Sequence, residues 1–152
     1  MTSILVTCEV GEAHAPFLTK HLRAACRLVE GAPKVVSVAV VDEDRMSQLH
    51  QRFLGKPGPT DVLSFPLEAD AAGRVVEGEI VVCLDVAQAE SGKRAHPVER
   101  ELLLYALHGL LHLSGYDDLN EVDSQRMHAR EDEILSALGL GPVFAPAAPG
   151  AG

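Results

Sequence analysis

The feature that most constrains this chain is an apolar stretch from Val98 to Leu113 that carries two histidines and runs into a glycine-containing turn. Nearly every position is apolar, which predicts a helix surrounded by other elements. His108 and His112 are four positions apart, so on a helix of about 3.6 residues per turn they project from one face. The fold must therefore bury this helix while leaving two imidazoles at a common point.

The turn after this helix offers a third ligand. Gly115 can adopt a positive φ and end the helix, after which the chain can turn back and bring Asp118 to the histidines. Two imidazoles and a carboxylate, with a fourth position open, form a catalytic zinc pattern. The alternative is an ordinary pair of core histidines, but the spacing, the helix and the turn all favour metal binding. We predict one metal ion held by His108, His112 and Asp118.

A zinc protease is a weaker interpretation of the same histidine pair. The protease motif is His-Glu-x-x-His, in which the glutamate is the general base. Gly109 occupies the glutamate position here, so the catalytic base is absent.

Three blocks of sequence carry a family resemblance. Residues 108–118 read His-Gly-Leu-Leu-His-Leu-Ser-Gly-Tyr-Asp-Asp, residues 59–66 read Pro-Thr-Asp-Val-Leu-Ser-Phe-Pro, and residues 78–83 read Gly-Glu-Ile-Val-Val-Cys. In this order they resemble the YbeY family of bacterial rRNA maturation factors, over roughly residues 3–138. The first block departs from the family pattern at its last position, where Asp118 replaces a third histidine.

The resemblance implies a metal-dependent, single-strand-specific endoribonuclease that acts in 16S rRNA maturation and ribosome quality control, with His108 in a catalytic role. It implies one Zn²⁺ per chain, with Mn²⁺, Fe²⁺ or Ni²⁺ as alternatives; the carboxylate of Asp118 makes Mn²⁺ and Fe²⁺ more competitive. The implied partners are rRNA, the small ribosomal subunit, ribosomal proteins and a ribosome-associated GTPase, and no membrane. The alternative is a ribosome-assembly factor with a metal site and weak or no nuclease activity.

A second departure concerns the substrate. In the family an arginine follows the aromatic residue at the end of the second helix, and alignment places Leu54 at that position. Leucine cannot hold a phosphate by two charged hydrogen bonds as arginine can. Arg52 or Lys56 is a candidate replacement, and Ser64 in the second family block is a further candidate substrate-binding residue.

The overall charge is awkward for an RNA enzyme. The net charge is −9 and the pI is about 5.1, whereas contacts to phosphates need local positive charge. Lys20, Arg23 and Arg27 form a basic stripe at i, i+3 and i+7. An ordinary solvated helix face is the favoured interpretation of this stripe, since such faces are routine on amphipathic helices.

The remaining composition indicates a cytoplasmic protein. The N-terminus lacks a basic region and a small-residue cleavage site, and no apolar run reaches membrane-spanning length. Cys8, Cys26 and Cys83 lie in hydrophobic stretches without Cys-x-x-Cys spacing. They are predicted to be buried free thiols of a reducing compartment.

Hydrophobic patterning predicts an α+β domain (α/β-like) over residues 1–141. The patterning predicts four strands in a single sheet, about five helices packed against it and one buried helix. The family resemblance implies that the sheet is small and mixed and that the buried helix is central and carries the metal motif. The predicted strands cover 3–8, 34–41, 61–65 and 79–84, and the predicted helices cover 14–29, 42–53, 85–92, 98–113 and 120–138. Residues 68–77 are predicted to form a mobile polar excursion, and the Pro/Ala/Gly-rich residues 142–152 a disordered tail.

On the helical faces, Glu101 or Tyr105 is a candidate to orient His108 through a hydrogen bond, because both lie on its side of the helix. A simple packing role is the open alternative. His128, among charged residues of the last helix, is predicted to face solvent.

Overall fold

The computed structural model describes residues 1–144. In this range a four-stranded mixed sheet supports five α-helices. The elements in chain order are β1 (Ser3–Cys8), α1 (Ala15–Cys26), β2 (Val35–Val41), α2 (Glu43–Leu54), β3 (Val62–Ala69), β4 (Val75–Cys83), α3 (Leu84–Arg94), α4 (Val98–Leu113) and α5 (Glu121–Ala137). The predicted fold class is confirmed.

The sheet has the order β1-β2-β4-β3. Strands β1, β2 and β4 are parallel to one another, and β3 lies at the edge of the sheet, antiparallel to β4. β2 is central, as its continuous β-branched sequence predicted. Its second face is covered less fully than expected, because Val41 packs near Met46 of α2 while Val35 at the other end is 39% exposed.

The hairpin of β3 and β4 corrects the prediction of a mobile excursion at 68–77. β3 continues to Ala69 and β4 begins at Val75, so only a short turn separates them. The Asp70 carboxylate accepts hydrogen bonds from the backbone N–H groups of Ala72 and Arg74, at 2.9 and 3.0 Å. This side-chain turn replaces the predicted loop, because an aspartate can close a tight turn on the backbone itself.

Two helix starts illustrate what local capping can and cannot specify. Asp42 caps α2 as predicted, accepting from the N–H of Arg45 at 2.9 Å. Asp85 does not cap α3, whose N-cap is Cys83. The Asp85 carboxylate instead accepts a hydrogen bond from the backbone N–H of Glu43 at 2.6 Å, which links the start of α3 to the start of α2.

Helix α4 packs closely against β4 at two glycines, Gly109 of α4 and Gly78 of β4. A Cβ atom on Gly109 would lie 2.9 Å from Cγ2 of Ile80, and one on Gly78 would lie 2.5 Å from Cδ1 of Leu113. Both distances are shorter than normal carbon contacts, so the glycines permit the close approach that sets the height of α4 above the sheet. Gly109 thus has a packing reason to be glycine, independent of the protease comparison.

We expect Gly109→Ala to lower the free energy of unfolding by about 1–3 kcal/mol, because Ile80 is fully buried and cannot move aside. This net loss would appear despite the gain of up to about 1 kcal/mol in helix propensity. Urea unfolding measures it. In a double-mutant cycle, the Gly109→Ala/Ile80→Ala protein should lose less unfolding free energy than the sum of the losses of the two single variants. Strictly additive losses would contradict the proposed contact.

The end of the described chain is held by α5. The Asp132 carboxylate accepts from the N–H groups of Val143 and Phe144, at 2.7 and 3.1 Å, and the Phe144 ring stacks on His128 with centroids 3.9 Å apart. Val143 and Phe144 belong to the segment predicted to be a disordered tail, and these contacts hold them against α5; the His128 side chain is only partly exposed. The rest of that prediction falls on residues 145–152, outside the described range.

The cysteines agree in part with expectation. Cys26 and Cys83 are buried free thiols, whereas Cys8 is free but only half-buried. Burial raises the pKa of all three thiols. Among residues 1–144, no helix combines the length and apolar character that a membrane crossing requires.

Candidate metal centre and cleft

Three side chains from one helix and its following turn converge on one point. Nε2 of His112 lies 3.1 Å from Nε2 of His108. Asp118 places Oδ2 at 3.4 Å from the His108 nitrogen and Oδ1 at 3.5 Å from the His112 nitrogen. Gly115, with φ of +107°, turns the chain back after α4 and makes this return possible.

The donor set fits a metal ion. The Nδ1–H of His108 donates to the Glu131 carboxylate at 2.9 Å, which leaves Nε2 of the neutral ring with a lone pair directed at the other two side chains. Ligand atoms of a four-coordinate zinc ion, with bonds of about 2.0–2.1 Å, lie roughly 3.3 Å apart. The 3.1 Å separation of the two histidine nitrogens is close to that value, as are the separations of 3.4 and 3.5 Å from these nitrogens to the two different oxygens of Asp118. His108, His112 and Asp118 can therefore hold one metal ion.

Glu131 on α5 fixes the orientation of His108. Its side chain is 1% exposed, and within residues 1–144 its Oε2 atom has no hydrogen-bond partner. Burial alone would lower the pKa of His108, but the hydrogen bond and charge of Glu131, with help from Asp118 and Asp61, outweigh it and raise that pKa. A buried carboxylate behind a ligating imidazole holds the ring in place and strengthens it as a ligand.

The metal centre opens into a cleft of about 600 Å³ between α4, the end of α2 and β3. Lys56 and Ser64 line it together with the two histidines and Asp118, as does Leu54, which is 55% exposed. Lys56 is the only Lys or Arg among the described residues that line this cleft. Asp61 adds a second carboxylate near the metal ligands.

Arg52 is the predicted site residue that the structure places elsewhere. It lines a separate depression with Arg45 and Leu67, and its guanidinium carbon lies 5.4 Å from the centre of the Phe53 ring. Two positions on a helix correspond to a rotation of about 200°, so Arg52 and Leu54 point to opposite sides of α2. Arg52 therefore does not line the cleft that Leu54 lines. The assignments of Arg52, Lys56 and Ser64 to substrate binding stay predictions.

Comparison with known proteins agrees with this geometry. A sequence model described as "Endoribonuclease YbeY" matches residues 9–139. The chain belongs to the YbeY family. It is 38% identical to the Endoribonuclease YbeY of Macrococcus caseolyticus, covering 90% of this chain and 97% of that protein. It is 43% identical to that of Staphylococcus saprophyticus, covering 69% of this chain and 72% of the relative.

A solved structure shares the fold of this YbeY-family chain. The solution structure of TM1509 from Thermotoga maritima superposes with a TM-score of 0.62 and 29% sequence identity. The match covers 95% of this chain and 97% of the other.

Glu131 is the site residue that sequence reasoning missed in this YbeY chain. The candidates considered, Glu101 and Tyr105, have no hydrogen bond to His108 within the described residues. Glu101 instead contacts His96 at 2.6 Å and Arg94 at 3.0 Å, and burial together with the adjacent Glu101 raises the pKa of Tyr105.

A signal for Glu131 was nevertheless present in the sequence. It lies between Met127 and Ile134 on the side of α5 whose residues face the core. A carboxylate in that position is costly to bury without a partner.

We expect Glu131→Gln to weaken metal binding by about 10–100-fold, because glutamine keeps the shape of the side chain but removes the charge behind the His108 ring. Competition with a chromophoric chelator measures this. Glu133→Gln, an exposed position on the same helix, is the matched control and should bind as the wild type does. Equal affinities for Glu131→Gln and the wild type would contradict the role assigned to Glu131.

Proposed function

We propose that this YbeY-family chain is a metal-dependent, single-strand-specific endoribonuclease that acts in 16S rRNA maturation and ribosome quality control. The observation that supports it most directly is the convergence of His108, His112 and Asp118 on one point of an open cleft. A metal ion bound there would supply Lewis-acid polarisation of a phosphoryl oxygen and would make a water nucleophile available near neutral pH.

The residues of the chain have distinct roles in this proposal. His108, His112 and Asp118 would hold the ion, which we propose to be Zn²⁺, with Mn²⁺, Fe²⁺ or Ni²⁺ as alternatives; the carboxylate ligand favours the harder ions more than a third imidazole would. Glu131 would keep His108 in the tautomer whose Nε2 faces the cleft. This positioning is part of the catalytic design, because a misdirected ring cannot act as a ligand.

The cleft also supports the substrate class. The side chains of His108 and His112 are 21% and 30% exposed, so they are recessed yet reachable. A single strand can splay its backbone into such a recess, whereas a duplex presents a stiff surface. We propose that Lys56 contacts a phosphate and that Ser64 donates a hydrogen bond to the substrate, because both side chains line the cleft.

A second candidate function is a ribosome-assembly factor with weak or no nuclease activity. The specific observation in its favour is Leu54, which places an uncharged side chain in the cleft where the family resemblance implies arginine. In either case we propose rRNA, the small ribosomal subunit and its proteins as partners, with a ribosome-associated GTPase as a further one. We also propose that the protein acts in the cytoplasm.

Metal removal tests the proposal. Protein treated with a chelator and then dialysed should lose cleavage of an unstructured RNA, and one equivalent of Zn²⁺ or Mn²⁺ should restore it, since the proposed chemistry depends on a bound ion. Denaturing gels with an end-labelled RNA measure cleavage, and a hairpin of the same composition should be cut more slowly. Undiminished cleavage in chelator would exclude the proposal, while metal-independent RNA binding without cleavage would favour the assembly factor.

A further inference from the structure

A groove of about 430 Å³ lies beside the C-terminal end of α1 and the loop that leads into β2. Three cationic side chains line it: Arg23 from α1, Arg27 from the C-cap of α1, and Lys34 from the loop. All three are exposed, and within residues 1–144 none of them has a carboxylate partner within 4.0 Å. No Asp or Glu is among the described residues that line the groove.

This clustering is unusual for the chain as a whole. With 22 acidic and 13 basic residues, the average surface should be negative. Lys93, Arg94 and Arg130, by contrast, are paired with carboxylates at 3.3, 3.0 and 3.5 Å. Three unpaired cations around an uncharged floor, on such a protein, form a local site for an anion. The stripe on α1 alone suggested only a solvated face; Lys34 changes that, because a different segment adds its charge to the same groove.

The groove is connected to the metal centre by shared residues. Gly31 lines both the groove and a smaller depression of about 160 Å³. His112 lines both that depression and the catalytic cleft. Arg74 contributes a further cation to the depression, where its only carboxylate contact among the described residues is a long one of 3.9 Å with Asp70.

Backbone contacts keep these parts in place. The N–H of Lys34 donates to the carbonyl of Val76 at 2.9 Å, which fixes the loop beside the start of β4. A Cβ on Gly31 would lie 3.4 Å from the carbonyl oxygen of Ser114, in the turn that follows α4. The groove and the metal centre are therefore two ends of one continuous surface, joined at the loop and the α4 turn.

The geometry points to a path for single-stranded RNA that leaves the metal centre past His112 and Arg74 and continues over Arg27, Arg23 and Lys34. This inference rests on the proposed nuclease function and extends it, because it assigns the binding of nucleotides that flank the cleavage position. The cations would contact backbone phosphates, which repeat along the strand and match a row of positive side chains.

The lining also indicates how the strand is recognised. No Phe, Tyr, Trp or His is among the described residues of the groove, whose floor is formed by Cys26, Val29 and Pro33. Stacking of bases on aromatic rings is the usual source of base-directed affinity in single-strand sites. The groove should therefore bind through the backbone and with little sequence preference, as phosphate contacts alone carry no sequence information.

An RNA-binding experiment on the metal-free full chain tests the path independently of cleavage. The probes are fluorescein-labelled polyuridine of about twelve and about three nucleotides, measured by anisotropy over a salt series. The wild type should bind the long RNA more tightly than the short one. The variant Arg23→Gln/Arg27→Gln/Lys34→Gln should lose about tenfold or more in affinity for the long RNA. Its plot of log K against log salt should flatten by about 2 units, since each single-strand phosphate contact contributes about 0.7.

The matched control removes three positive charges at other positions on the surface. Arg45→Gln/Lys93→Gln/Arg126→Gln changes exposed positions that line neither the groove, the depression nor the cleft, and its affinity should change less than about threefold. Equal losses in both variants would show a general charge effect and overturn the path. An unaffected groove variant would overturn it too, as would a groove that binds polyglutamate in preference to RNA, which would identify an acidic protein as the occupant.

The two proposals can fail separately. If no RNA is cleaved under any metal condition but the groove variant still loses binding, the nuclease proposal fails and the path survives. If cleavage requires metal but both triple variants bind the long RNA as the wild type does, the path fails and the nuclease proposal survives. Thermal melting of each variant, monitored by circular dichroism, confirms that it is folded.

Discussion

A His112→Ala variant is expected to bind metal at least a hundredfold more weakly than the wild type and to show no measurable RNA cleavage. Loss of a group that only supports a ligand costs about 10–100-fold in affinity, so loss of a ligand itself should cost more. Nε2 of His112 is 3.1 Å from that of His108, and no other nitrogen or sulfur ligand among the described residues joins the cluster. Elemental analysis of the purified protein and a chelator competition measure the loss.

The two adjacent aspartates provide a matched comparison for this result. Asp118→Ala should weaken metal binding, whereas Asp117→Ala should leave it unchanged, because only Asp118 joins the histidine cluster. Both positions are exposed, so neither change should greatly affect stability. Unchanged metal content in both His108→Ala and His112→Ala would show that the ion, if one is bound, lies elsewhere.

A Leu54→Arg variant is expected to cleave unstructured RNA at least tenfold faster in single turnover, with unchanged metal content. Phosphodiester cleavage concentrates negative charge on the non-bridging oxygens, and an arginine can stabilise that charge through two charge-assisted hydrogen bonds. One well-placed donor of this kind typically contributes a factor of about 10²–10³ in rate. Leu54 lines the cleft and is 55% exposed, so a longer side chain has room to enter.

The control for this gain must add the same charge at an equally exposed leucine. Leu67 is 56% exposed and lines a separate depression on the other side of β3. Leu67→Arg should therefore raise the rate only slightly, through the small change in net charge. A wild type that already cleaves RNA rapidly and gains nothing from Leu54→Arg would indicate that Lys56 or another cleft residue already supplies this stabilisation.

Local patterns determined much of the fold. The buried helix was predicted with the bounds it has, Val98–Leu113, because nearly continuous apolar character over sixteen positions permits little else. Asp42 and Asn120 mark the starts of α2 and α5, since each side chain bonds to a backbone N–H three residues ahead. These features depend on neighbours within a turn or two of chain.

The same locality explains how the metal site could be predicted. His108 and His112 share a helix face by spacing alone, and Asp118 follows six residues later through a turn that Gly115 makes possible. No long-range contact is needed to bring the three together. Arg52 shows the limit of this reasoning. It is only two positions from Leu54 in the sequence, but its side chain projects from the opposite side of α2 and lines a different depression.

The tertiary structure alone decided three features. Glu131 reaches His108 from 23 positions away, because the packing of α5 on α4 places them together. Gly78 and Gly109 set the distance between α4 and the sheet, which depends on what each faces across the interface. The pairing of β2 with β4 brings Lys34 and Arg74 near the basic residues of α1, and together these cations form the proposed path toward the metal site. Sequence spacing fixes directions within one element, but the relation between elements is set by packing of the whole core.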